Sequence, residues 1–517
     1  MNRLLLCVAA LCGATVTGCY KRSPGPAALV EAEGPVRLVA LPGGGPATDL
    51  VVMVRAGAAA DPPGQEGVAS LTARLLREGG AAGRSSEEVD AALYRLGTDI
   101  EVVVDQEIVS VRTRALHEDL GELAALLGDL LTEPAFDEAA LERLRAESID
   151  GLQTGIFASD EALGEQVFSD WVWEGNPYGS PIEGRLGSLP ALDAADARAF
   201  YDDRWVRPAV VLGVSGPAVG ADGAIDPTAP GGAAILALRD RLSGLPARTF
   251  RDFSPRGVAP VEGRHLLVIE AETDGAGIHF GHPTALTRAH PDWPAMLLAV
   301  TALGEHRQSH GRLYRALRGD RGLNYGDYAY IESYRQDGWS SRQQTGTGRI
   351  QNTFSTWIRP VSAENGPFAL KASLSMVEDW VRDGLPTDEF ERTRAYLAAR
   401  IQLWGEEPIR RLGWAVEAEL MGWPDPIDAL PPRIASLSES DVRGAIQRHV
   451  RPEDLKIVVV TGDGEGFIEA LSVDSPMTYG GDPPASDSPQ AVQDAAWASP
   501  PLQLETAQTR SVDGLFQ

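Results

Sequence analysis

Eight histidines, three cysteines and a surplus of carboxylates set the chemistry open to these 517 residues. The cysteines are Cys7, Cys12 and Cys19, all close to the N-terminus. The rest of the chain therefore holds no Cys-ligated zinc, no iron–sulfur cluster and no thiol nucleophile, which leaves histidine and carboxylate as metal ligands. His306 and His310 stand at i, i+4 in Glu305-His306-Arg307-Gln308-Ser309-His310, the spacing that puts two imidazoles on one helix face. No general base lies between them, Arg307 is adjacent and Gly311 follows, so they are expected to be surface or chamber-lining histidines. His279 and His282 flank Phe280-Gly281 at a strand end and His290 precedes Pro291. None of these completes a ligand triad by spacing. No nucleophile-elbow motif supports Ser/His/Asp catalysis, and Gly43-Gly44-Gly45 lacks the lysine of a phosphate loop and reads as a turn.

Lys and Arg number 46 against 73 Asp and Glu, a net charge of -27. Phosphate recognition needs the opposite balance, so a basic nucleic-acid binder is excluded. A hydrophobic content of 43% provides for real cores, and the length suits roughly two to four domains. Residues 1–18 have a basic start at Arg3, an apolar run and small residues before Cys19, the layout of a secretory signal. Val16-Thr17-Gly18-Cys19 resembles a bacterial lipoprotein signal, which implies lipidation of Cys19. Tyr20, rather than Asp, then favours the periplasmic face of the outer membrane. A plain signal peptide or membrane anchor is the alternative, although the apolar run falls short of the ~20 residues a span needs.

The candidate residues need a scaffold, and the chain carries two copies of one. Leu141-Glu142-Arg143-Leu144-Arg145-Ala146 is matched 249 residues later by Phe390-Glu391-Arg392-Thr393-Arg394-Ala395. Val206-Arg207-Pro208 with the apolar run 210–214 is matched 244 residues later by Val450-Arg451-Pro452 before 457–460. Two landmarks at nearly one offset predict an ancient duplication rather than a solenoid. In the first half, Ser85-x-x-Glu88 predicts a capped helix ended by Gly97, and 100–104 and 108–112 read as strands. Leu116, Leu120, Leu123, Leu127 and Leu130 form a helical stripe stopped near Pro134. In the second half, 293–317 reads as helix and 328–331, 339–347 and 353–358 as strands, and Leu370, Leu374, Val377 and Val381 repeat the stripe. Hairpins mixed with long helices predict an α+β fold. The expected divisions are a signal at 1–18, a tether at 19–34, domains at 35–242 and 264–475 joined by a linker at 243–263, and an extended or disordered tail at 476–517 rich in Pro, Ser, Asp and Gly.

Three segments now carry a family resemblance. Gly64-Gln65-Glu66-Gly67-Val68-Ala69 leads into a helix, Asn176-Pro177-Tyr178-Gly179-Ser180-Pro181-Ile182-Glu183-Gly184 follows, and Gly311-Arg312-Leu313-Tyr314-Arg315-Ala316-Leu317-Arg318 runs into Arg321-Gly322-Leu323-Asn324-Tyr325-Gly326. In that order, over roughly 35–467, they resemble the pitrilysin/insulinase class of zinc peptidases, which includes the mitochondrial processing peptidase. The resemblance implies two similar α+β domains, each a mostly antiparallel sheet of about six strands packed by helices, facing each other as a clam shell around a peptide chamber.

The family's chemistry sits in an inverted zinc motif, H-x-x-E-H, whose two histidines converge on zinc while the glutamate takes a proton from the metal-bound water. The resembling helix continues Ser70-Leu71-Thr72-Ala73-Arg74, so Ser70 and Arg74 occupy the histidine positions and Ala73 that of the base. Serine is a poor zinc ligand, alanine accepts no proton, and a permanent guanidinium repels a dication. Glu147 and Asp150 lie near the position of the family's third ligand, but a carboxylate alone holds no catalytic zinc. The resemblance also implies an Arg and Tyr pair that faces the zinc across the chamber, and Arg318 and Tyr325 match it. A guanidinium can grip peptide carbonyls and a phenol can donate to a developing oxyanion. The expectation is a chain that binds no metal or other cofactor, inactive alone, pairing with a homologous subunit that carries H-x-x-E-H and its zinc and lending it Arg318 and Tyr325 over a peptide substrate. The alternatives are an inactive structural or binding protein of the same fold and an independent solute-binding lipoprotein.

Overall fold

The computed structural model describes residues 29–30, 34–254, 257–338 and 340–517. The expected signal at 1–18, Cys19 and nearly all of the 19–34 tether lie outside the described residues, as does Trp339. The first half and the linker supply β1 (Leu29–Val30), β2 (Arg37–Pro42), β3 (Ala47–Val54), β4 (Ile100–Val104), β5 (Val109–Leu116), β6 (Val210–Gly216) and β7 (Phe250–Arg251). The second half supplies β8 (Arg264–Glu270), β9 (Gly275–Thr284), β10 (Asp327–Tyr330), β11 (Asn352–Ser362), β12 (Leu455–Thr461) and β13 (Thr506–Ser511). β1 and β7 pair with each other, and the rest form sheets ordered β2-β6-β3-β5-β4 and β13-β8-β12-β9-β11-β10. Without β13 the two orders are identical. In each, the last strand of the repeat inserts between the first two, parallel to one and antiparallel to the other. The duplication read from two short landmarks thus extends through the whole topology, in sheets of five and six strands.

Each half packs helices on one face of its sheet, giving separate cores. The other face is covered by a helix from the opposite half. Pro408–Met421, which follows the helix carrying Phe390-Glu391-Arg392, lays Leu412, Val416 and Leu420 against Val51, Met53 and Val211 of the first sheet. Asp160–Val172, which follows the helix carrying Leu141-Glu142-Arg143, lays Leu163, Val167 and Phe168 against Leu267, Val458 and Val460 of the second. Burial on both faces is why β6 and β12 read as nearly unbroken apolar runs. Glycine sets both distances of approach: a Cβ on Gly213 of β6 would lie 2.3 Å from Val416 Cγ2, and one on Gly164 would lie 2.8 Å from His279 Nδ1. The helix exchange predicts that Leu412→Ala, at a side chain with no exposed surface, costs about 2–5 kcal/mol of stability, read as a shifted urea midpoint.

Local signals act where expected. Ser85 and Glu88 form a reciprocal capping box at the start of Ser86–Arg95. Elsewhere tertiary structure departs from local pattern. The expected helix over 293–317 ends at Gly304, because Gly311 folds back until a Cβ there would stand 2.8 Å from the Gly304 Cα. Residues 340–347, expected to be strand, form a loop pinned by Gln343 Nε2 to the Ser333 carbonyl (2.9 Å) and by Arg410 to the Gln343 carbonyl (3.0 Å). The segment 476–517, read as an extended or disordered tail, carries the helix Pro489–Ala498 and the edge strand β13. Its Trp497 joins the second core and Phe516 lies buried against Phe157 of the first half. No described helix is long and apolar enough to cross a membrane.

Candidate functional site

The helix Val68–Glu78 starts where Asp61 takes the Gly67 and Ala69 amides at 2.6 and 2.8 Å. Burial outweighs these two bonds and pushes the Asp61 carboxyl up to about 7. Its ordinary value is near 4, so the folded chain holds an extra proton between those values. Stability contributed by this group therefore rises as pH falls from 8 to 5. Urea midpoints across that range should fall more steeply with rising pH in the natural chain than in Asp61→Asn.

Ser70 and Ala73 are buried in the packed side of this helix. Arg74 ion-pairs with Glu147, lies 3.4 Å from Ser148 Oγ, and stands 4.0 Å from Glu78. Arg143 closes the network, 2.9 Å from Glu147 and 2.8 Å from Glu78. Arg143 first, then Arg74, hold the Glu147 carboxyl below its usual range. A guanidinium thus stands between carboxylates where the zinc motif would gather a dication, and Glu147 is already committed to two cations. This donor set does not fit zinc. Asp150, the other carboxylate considered, is exposed at the end of Glu138–Asp150 and joins none of it.

Arg318 lies in a π-helical turn, Tyr314–Gly319, a local distortion common at functional sites. Its guanidinium rests 5.2 Å above the Tyr325 ring. Tyr325 is 77% exposed, and among the described residues neither its hydroxyl nor the Arg318 guanidinium has a hydrogen-bond partner. The block is held from beneath. Arg321 bonds Asp494 (2.7 Å) and Gln493 (3.0 Å) of the C-terminal helix, and Asn324 bonds Asp327 (2.6 Å) and the Arg359 carbonyl (3.0 Å). Arg321 belongs to the block quoted for the resemblance, but its supporting role is not legible there, because its partners lie in the 476–517 segment expected to be an extended or disordered tail. The structure therefore brings Arg318 to Tyr325 and Arg74 to Glu147, and among the described residues no hydrogen bond or ion pair joins the two groups.

His306 and His310 do not converge on one point. His306 is wedged between Tyr330 (2.8 Å) and Gln336 (3.1 Å), while His310 turns toward Glu305 and the Tyr396 ring. His282 is buried, with Nε2 accepting the Arg451 amide at 3.1 Å. His290, Asp292 and His449 do gather their ligand atoms within 4.8 Å. Arg448, however, takes both Asp292 oxygens at 2.9 and 3.0 Å, and with His449 holds that carboxyl down at about 2. This cluster is built as an ion pair.

Two family profiles match the chain: Insulinase (Peptidase family M16) over residues 44–184, and Peptidase M16 inactive domain over residues 233–397. The chain is a peptidase-like member of the insulinase family. Among the relatives of this insulinase-family chain are an "Uncharacterized zinc protease YmxG" of Bacillus subtilis, 20% identical over 74% of this chain and 86% of its own length, and a "Non-peptidase homolog YmxG" of Helicobacter pylori, 21% identical over 79% and 87%. A solved peptidase M16 inactive domain from Pseudomonas fluorescens superposes with a TM-score of 0.70 at 18% identity, covering 84% of this chain and 98% of that one, and shares the fold.

Proposed function

We propose that this chain is the non-catalytic, peptide-binding subunit of a heterodimeric insulinase-type zinc endopeptidase at the bacterial envelope. It is anchored through lipidated Cys19 on the periplasmic face of the outer membrane. The observation that carries this reading is the asymmetry between its two halves: the motif helix is filled by Ser70, Ala73 and an Arg74–Glu147 ion pair, while an exposed Tyr325 and a half-buried Arg318 stacked on its ring have no side-chain hydrogen-bond partner among the described residues. A phenol and a guanidinium displayed in this way are available to a second chain. There they would grip the main chain of a peptide and donate to the oxyanion forming at its scissile carbonyl. Zinc and general base would come from a homologous partner with an intact H-x-x-E-H. Co-expression with such a partner should give chelator-sensitive peptidase activity that neither chain shows alone. Activity from this chain in isolation would overturn the reading.

Similarity to the Helicobacter pylori non-peptidase homolog favours a second reading, a proteolytically inactive binding or structural protein of the same fold. A co-purifying partner that itself lacks H-x-x-E-H would select it.

A further inference from the structure

Tyr325 stands on a turn held on both flanks. Asn324 before it is 4% exposed and Asp327 after it 0%. Asn324 Nδ2 donates to Asp327 Oδ1 at 2.6 Å and to the Arg359 carbonyl at 3.0 Å, and the Arg359 amide donates to the Gly326 carbonyl at 3.2 Å. Asp327 then opens β10, in register with Ile358 of β11. The Tyr325 phenol thus takes its direction from a backbone fixed by one buried side-chain pair and one strand.

That pair has two atoms left over. Asn324 Oδ1 and Asp327 Oδ2 are both buried and without a hydrogen-bond partner, which is rare for buried polar side-chain atoms. An amide oxygen and a carboxylate oxygen both only accept. A proton on Asp327 Oδ2 turns one of the two into a donor. The surroundings favour that proton, since among the described residues no cation pairs with Asp327. Arg359 on β11 opposes its protonation but is already bonded to Glu161 of the helix Asp160–Val172 at 2.6 Å. Tyr328, on the same strand, is kept neutral by burial. The helix Trp293–Gly304, packed against β10, carries no ionisable side chain. The adjoining turn Tyr314–Gly319 carries Tyr314, Arg315 and Arg318; Arg315 faces Glu389, Arg318 faces the Tyr325 ring, and none of the three pairs with Asp327. Burial therefore dominates and holds the Asp327 carboxyl up at about 7, against an ordinary value near 4.

We propose that Asp327 is a positioning residue for Tyr325: its protonated carboxyl donates to Asn324 Oδ1 while accepting from Asn324 Nδ2, and this two-bond ring sets the turn that presents the phenol. Loss of the proton breaks one of the two bonds and leaves a bare carboxylate buried against an amide oxygen. Because the folded value lies above the ordinary one, the stability this group gives the turn is full below about pH 4 and is lost as pH rises through about 7. Only the effect on activity rests on the reading of Tyr325 as a donor to a second chain.

Hydrogen exchange of the isolated chain at pH 5 and pH 8, corrected for the intrinsic pH dependence of amide exchange, reads the turn directly. Protection over residues 322–328 should fall at least tenfold in the natural chain. It should stay level in Asp327→Asn, whose amide supplies the same donor and acceptor at every pH. Asp61 titrates in the same range but lies in the first half, so the local readout separates the two. In a reconstituted heterodimer, kcat of Asp327→Asn relative to the natural chain should rise about tenfold between pH 6 and pH 8 with KM unchanged. Level protection in the natural chain, or an equal fall in Asp327→Asn, would overturn the proposal. So would a flat kcat ratio in a heterodimer that Tyr325→Phe impairs. If Tyr325→Phe cleaves normally, the catalytic reading of Tyr325 fails instead, and the exchange result still decides the role of Asp327. The pH comparison on the natural chain needs no variant and so does not rest on one folding.

Discussion

Glu107→Ala lowers the unfolding free energy by about 3–5 kcal/mol, the loss expected when a buried charge is stripped of its partner. Glu107 and Arg55 are almost fully enclosed, at 0% and 3% exposure, and pair at 2.6 Å. The same carboxylate takes the Tyr178 hydroxyl from within its own half and the Ile350 amide, at 2.8 Å, from the other. One side chain therefore neutralises an arginine and ties the second half to the first. Asp252 remains on Arg55 Nε at 2.8 Å, which keeps the guanidinium partly compensated and places the effect within that range rather than above it. Glu107→Gln retains hydrogen-bonding capacity without the charge and should fall between the two in urea denaturation. A Glu107→Ala variant within about 1 kcal/mol of the natural chain would show that the network contributes no more than an exposed ion pair does.

Tyr325→Phe, in a heterodimer reconstituted with an H-x-x-E-H partner, reduces kcat about 10²–10³-fold, the scale of a lost oxyanion donor. The side chain is exposed and its hydroxyl has no hydrogen-bond partner among the described residues, so the thermal midpoint of the isolated subunit should not move. Arg318→Ala removes the cation stacked on that ring and a grip on the substrate main chain, and should raise KM as well as lower kcat. Losses in activity without losses in stability separate a role toward a second chain from a structural one. If both variants cleave peptide at the natural rate, Arg318 and Tyr325 have no part in the chemistry.

Much of this architecture was legible in the sequence because it is local or repeated. The paired landmarks at 141–146 and 390–395 announced the duplication, and Ser85 with Glu88 announced a helix start. The expectation that Ser70, Ala73 and Arg74 stand at the zinc-motif positions was legible, because the glycines before their helix locate it. What Arg74 does instead was not, since its partner Glu147 lies on another helix. The helix exchange escaped for a similar reason: the apolar stripe Leu412, Val416, Leu420 states that a face will be buried, not which sheet will bury it. The misread tail has a different cause. Its polar composition argued against a core of its own, and it has none; it borrows Trp497's place in the second core and the free edge of β8.

Zinc stoichiometry, measured on the isolated chain and on the reconstituted heterodimer, decides whether this chain lends residues to a metal site built by its partner. No stoichiometric zinc is expected on this chain, even after zinc loading, and one zinc per heterodimer, lost when the partner's H-x-x-E-H histidines are replaced. One zinc bound by the isolated chain, together with peptidase activity that a chelator abolishes, would contradict it.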